Sequence, residues 1–191
     1  TRRSSDLVAT VGMLVGVRLI TGVLSPEVYG QLALGMTLGT LANQVILGPL
    51  AGAALRFFSP ARDAGELASF LAALRRMLVQ ATLLVALLST VVPAVLLLIG
   101  QSHLLWLAFA ALAFALISGL NSTLNGLQNA ARQRAIVAWH NALSSWGRFL
   151  MAFAMVLWLG ASSAVAALGY TLATLVVLGS QLWFFRRTTR P

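Results

Sequence analysis

The chain has no cysteine and no lysine, and only four acidic residues, Asp6, Glu27, Asp63 and Glu66. Without cysteine there is neither a disulfide nor a thiolate metal site. His103 and His140 stand apart, with no second histidine or carboxylate at ligand spacing, so no metal and no cofactor is expected. The four acids lie at the ends of apolar runs or between them, which leaves no interior carboxylate to relay a proton or hold a sodium ion. No nucleophile is paired with a base, so catalytic residues are expected to be absent and an enzyme is not indicated. Charge of either sign is scarce: 9% of residues are charged against 59% hydrophobic, with a mean hydropathy of +0.89. That is too little polar surface to cover a soluble globule, and the chain belongs in lipid.

What remains is arginine and long apolar runs. A helix needs roughly 20 apolar residues to cross about 30 Å of hydrocarbon, and six stretches qualify: 6–24, 31–55, 77–99, 104–127, 136–159 and 164–185. The predicted fold class is therefore all-α, a polytopic membrane protein in a single bundle, with Ser25 to Gly30 as a tight turn and Gly48-Pro49 kinking or breaking the second span. The arginines between the runs fall in alternate gaps. Arg2 and Arg3 precede the first run; Arg56, Arg62, Arg75 and Arg76 fill the second gap; Arg132 and Arg134 fill the fourth; Arg186, Arg187 and Arg190 follow the last. By the positive-inside rule both termini are expected on the cytoplasmic side. Trp106, Trp158, Trp139 and Trp183 fall near predicted span ends, where indole rings settle; Trp146 does not. The net charge of +9 would favour nucleic acid in a soluble domain, but here loop placement explains it and no nucleic-acid partner is expected. The chain begins at Thr1 and ends after a basic cluster, so a piece of something longer is expected.

Residues 60–76 read in two ways. Pro60 sits where a helix can start, and Leu67, Phe70, Leu71 and Leu74 share one face. This is either an interfacial helix lying on the anionic membrane surface or an extension of the third span.

Two arginines break the rhythm by lying inside apolar runs. Arg148 is halfway along the fifth, where a charge costs on the order of 3 kcal/mol by insertion scales. Asn141, Ser144 and Ser145 lie within two turns on an overlapping face, the stripe expected of a helix facing a hydrated cavity. The alternative is that Arg148 bonds only backbone carbonyls. Arg18 shares a face with Thr10 and Thr21, and lies about 9 Å of helix rise from the end of its span; it either faces the cavity or snorkels outward. Gln31, Gly35, Gly39 and Asn43 form a small-residue stripe that favours helix packing, with Asn43 a cavity candidate. Ser118, Asn121, Ser122, Asn125 and Asn129 either line an inner vestibule or bond across helices. With only positive charge inside the spans, an anionic ligand is favoured.

Three stretches resemble one family. They are Arg18-Leu-Ile-Thr-Gly-Val-Leu-Ser-Pro-Glu-Val-Tyr-Gly30, then Leu47-Gly48 followed by Ala54-Leu-Arg-Phe-Phe58, and Asn129-Ala-Ala-Arg-Gln-Arg134. Together they are similar to the N-terminal half of polysaccharide-biosynthesis flippases of the Wzx type, within the multidrug/oligosaccharidyl-lipid/polysaccharide exporter superfamily. In this chain Gly22 and Val23 stand where the family often has a basic residue. The resemblance implies a flippase that moves an undecaprenyl-diphosphate-linked oligosaccharide across the bacterial inner membrane. Family members are about twice this length, two bundles around a central cavity, so this chain would be one lobe and its partner the C-terminal half or a second copy. Arg148 and Arg18 would meet diphosphate or acidic sugars. The alternatives are an antiporter of the same superfamily, which the lack of interior acids disfavours, and a non-transporting scaffold for polysaccharide assembly, which has no use for a buried charge.

Overall fold

The computed structural model describes the backbone of residues 2–189, with side chains described for 10–185 and Arg187. Among these residues every regular element is helical: α1 (Arg2–Thr21), α2 (Pro26–Ile46), α3 (Gly48–Asp63), α4 (Leu67–Leu98), α5 (Leu105–Ala130), α6 (Arg134–Leu159) and α7 (Ser163–Thr189), with a 3-10 turn at Ser102–Leu104 leading into α5. Four helical stretches are long and apolar enough to cross a membrane: Leu67–Leu98, Ser102–Ala130, Arg134–Leu159 and Ser163–Phe185. The pair α2–α3, bent by 41°, makes a fifth if it is counted as one span, and Thr10–Thr21 of α1 is a shorter apolar stretch. By length and composition these helices are compatible with a multi-pass membrane protein.

The second span differs from its sequence reading at both ends. Ser25-Pro26-Glu27, read as turn, is the cap and first turn of α2. Ser25 Oγ accepts from the Val28 amide at 3.4 Å, Pro26 occupies the first turn where no N–H is needed, and Glu27 sits at the positive end of the helix. The break comes at Leu47, where the axes bend by 41°. The Leu47 amide still donates to the Asn43 carbonyl at 2.8 Å, but the amides of Leu50 and Ala51 both turn to the Leu47 carbonyl. Pro49 has no amide hydrogen to offer the preceding turn, so the helix restarts.

Helix α3 ends at Ala64-Gly65-Glu66, with Gly65 at φ +76° and the Glu66 amide closing on the Ala61 carbonyl at 2.8 Å. Residues 60–76 therefore form no helix of their own. Pro60 to Asp63 closes α3, and Leu67 to Arg76 opens the unbroken α4. The physical reason is cover: Leu67, Phe70 and Leu74 pack against Leu50, Ala54 and Phe58 of α3 instead of lying on a surface.

Helix α5 is the centre of the bundle, and its neighbours approach it through small residues. Gly39 of α2 lies so close that a Cβ there would be 2.7 Å from the Ala111 carbonyl oxygen, and Gly126 of α5 stands equally close to the Ala51 carbonyl of α3. The small-residue stripe on α2 is thus a packing surface. Leu47, fully buried at the break, fills the notch over Gly119. Helix α1 lies along α6, with Gly12 under the Trp146 indole and Gly16 under Phe149. Near the turn that joins it to α2, Ile20, Leu24 and Leu32 join one apolar cluster with Leu107, Ala152 and Val156. Away from that turn, a gap separates α1 from α2.

Candidate functional site

That gap opens into a cavity of about 360 Å³ bounded by five helices. Thr10 and Met13 come from α1, Met36 and Thr40 from α2, Phe114 from α5, Ser145, Arg148 and Phe149 from α6, and Tyr170 from α7. The volume falls at the lower end of ligand clefts, roughly 300–1,000 Å³.

Arg148 is half-buried on the cavity wall. Its Nε donates to the Ser144 carbonyl of its own helix at 3.0 Å, and it makes no other hydrogen bond among the described residues. No carboxylate neutralises it: among the described residues the one ion pair is Arg62 with Asp63, at 3.4 Å in an exposed turn. A guanidinium carries five N–H donors in a fixed fork, so most of this one is open to whatever enters.

Tyr170 supplies the second free donor. Its ring stands edge-on to Phe149, centroids 5.5 Å apart at 82°, and its hydroxyl makes no hydrogen bond among the described residues. Two hydroxyls on the wall have already placed their hydrogens. Thr40 Oγ1 donates to the Met36 carbonyl at 2.8 Å and Ser145 Oγ to the Asn141 carbonyl at 3.0 Å. These hydroxyls can only accept. The cavity therefore offers N–H and O–H donors at Arg148 and Tyr170, acceptor oxygens at Thr40 and Ser145, and an apolar wall of Met13, Met36, Phe114 and Phe149. An oxyanion fits the first set and a hydroxylated group the second.

The structure places the other sequence candidates elsewhere. Ser144 gives its carbonyl to Arg148 but does not line the cavity. Arg18 is exposed, on the side of α1 away from Gly12 and Gly16, and lines no part of the cavity. Asn43 is half-buried near the α2–α3 break, also outside it. Asn141 is exposed and its Oδ1 accepts from Asn125 Nδ2 at 3.2 Å; Asn125 Oδ1 in turn accepts from Gln181 Nε2 at 2.7 Å. Asn121 of α5 is buried and also lies outside the cavity. Of the two roles open to the α5 asparagines, Asn125 takes the cross-helix bond. His140 is a buried core histidine, its Nδ1 against the Ile136 carbonyl at 2.8 Å and its Nε2 against Ser180 Oγ at 3.1 Å.

Sequence reasoning found Arg148 and Ser145 and missed Tyr170, Thr40 and the aromatic wall. One signal for Tyr170 was present. The chain has two tyrosines, and Tyr170 alone lies within an apolar run, where a phenol hydroxyl needs a partner.

Compared with models of protein families, with curated proteins and with solved structures, the chain matches none.

Proposed function

We propose that this chain is one lobe of a flippase that carries an undecaprenyl-diphosphate-linked oligosaccharide across the bacterial inner membrane for surface polysaccharide or O-antigen synthesis. One observation supports this above the rest: Arg148 stands on a cavity wall inside an apolar span with no carboxylate paired to it among the described residues. A charge in that place costs on the order of 3 kcal/mol, and an anionic cargo is what returns it. Diphosphate would take the free donors of Arg148 and Tyr170, while sugar hydroxyls would donate to Thr40 and Ser145. The prenyl tail would stay in lipid.

In this reading the bundle has six spans, α1, the bent α2–α3, and α4 to α7, with both termini and the arginine-rich turns cytoplasmic among anionic membrane lipids. The cavity, bounded by five helices of this chain, lies open between α1 and α2. Its α1–α2 side, with Met13 and Thr40 exposed, would close against the C-terminal half of the same transporter or a second copy. Rocking of the two lobes about the cargo then gives alternating access.

The test is Arg148→Ala and, separately, Arg148→Lys in a cell whose surface polysaccharide depends on this protein. Loss of export is expected in the Ala variant. Partial export is expected in the Lys variant, because an ammonium keeps the charge and loses the fork. Full export by Arg148→Ala at normal protein level sinks the proposal.

A further inference from the structure

The contact between α5 and α7 is built around amides. Thr171 Oγ1 of α7 donates to the Ala110 carbonyl at 3.1 Å, and further along Gln181 Nε2 donates to Asn125 Oδ1 at 2.7 Å, which fixes the face of α5 that meets α7. At 100° per residue, Asn121 and Gln128 fall within about 20° of Ala110, on that same face. Gln128 and Gln181 are 0% exposed and Asn121 is 7%. Yet Asn121 Oδ1, Gln181 Oε1 and both amide atoms of Gln128 make no hydrogen bond among the described residues. In a membrane interior such groups are heavily penalised unless something meets them.

We infer that the α5–α7 contact is a hydration site, with a chain of bound waters linking Asn121, Gln128 and Gln181. The chemistry of the unmet atoms selects water. Gln128 presents a bare donor and a bare acceptor together, and Asn121 and Gln181 each leave a bare acceptor. A cation would serve the oxygens and repel the Nε2 hydrogens; an anion would do the reverse. Water alone both donates and accepts, and each bound water needs two to four polar partners, which these amides and further waters can supply. The structure also supplies an entry. Asn141 is exposed on α6 and bonds Asn125, which bonds Gln181, so a polar trail leads from the surface to the buried amides. This inference stands on the α5–α7 contact and is independent of what the cavity carries.

The experiment compares the wild-type protein with Gln128→Met, both purified in the same detergent. Because the Gln128 side chain makes no bond to protein, a dry site predicts that methionine relieves a penalty and raises the melting temperature. A hydrated site predicts a fall of several degrees, since the water loses a partner and its other partners are stranded. X-ray hydroxyl-radical labelling separates this from mispacking of the methionine. Leu124 and Leu178, 6% and 8% exposed, should be oxidised in the wild type by radicals formed in adjacent bound water, and less so in Gln128→Met. An unchanged or higher melting temperature overturns the inference, and so does an absence of labelling at both leucines in the wild type.

Discussion

Phe149 of α6 and Tyr170 of α7 meet edge to face, ring centroids 5.5 Å apart, and both line the cavity that holds Arg148. Such a pair contributes about 0.5–1.5 kcal/mol beyond burial and fixes where the phenol oxygen points. Tyr170→Phe keeps the ring contact and removes the donor. Its melting temperature should match the wild type, while binding of a short prenyl diphosphate weakens about tenfold, the order expected for a hydrogen bond to a charged group. Titration calorimetry in detergent reads the affinity. Equal affinities would show that the hydroxyl does not face the ligand.

The approach of α2 to α5 sets a second expectation. A Cβ on Gly39 would stand 2.7 Å from the Ala111 carbonyl oxygen, and backbone cannot swing aside as a side chain can. Gly39→Ala should therefore push the helices apart and lose about 1–3 kcal/mol. Gly52→Ala is the contrast, because a Cβ there meets nothing within 4 Å; inside α3 it should be neutral or gain up to about 1 kcal/mol of helix propensity. Thermal unfolding of the two variants side by side checks the difference in sign.

Leu47 closes the α2–α3 break by filling the notch over Gly119 with no exposed surface. Leu47→Ala should cost about 2–5 kcal/mol, the range for emptying a tightly packed site. A loss under about 1 kcal/mol by chemical denaturation would mean the notch collapses on its own.

Topology can be read without removing any native thiol, because the chain has none. Ser102 and Ala64 are both exposed, in the turns before α5 and after α3 respectively. With six spans and a cytoplasmic N-terminus, Ser102→Cys should react with an impermeant maleimide on intact cells. Ala64→Cys should react only after permeabilisation. Labelling of both from one side overturns the arrangement.

Much of the fold was legible because hydrophobic runs as long as a bilayer, separated by arginine-bearing turns, leave few alternatives to helices. The expected 136–159 and 164–185 lie inside α6 and α7, and the Gly48-Pro49 signal marks a real break. The start of α2 was misread because serine followed by proline and glutamate is equally a turn and a helix cap. Residues 67–74 were ambiguous because their apolar face says that something covers it and not whether lipid or α3 does. In the site, a lone charge in an apolar run pointed to Arg148. What meets it across the bundle depends on how distant helices pack, so neither Tyr170 nor Thr40 stood out. A shared helical face was also insufficient: Thr10 and Arg18 lie on related faces of α1, but the cavity reaches only Thr10.

Arg148 is tied by its Nε to the backbone of the helix that bears it. Its charge is thus a fixture of α6 rather than the tip of a swinging arm. Turn that 26-residue rod about its axis and the charge leaves the cavity; hold the charge with a counterion and the whole rod is held.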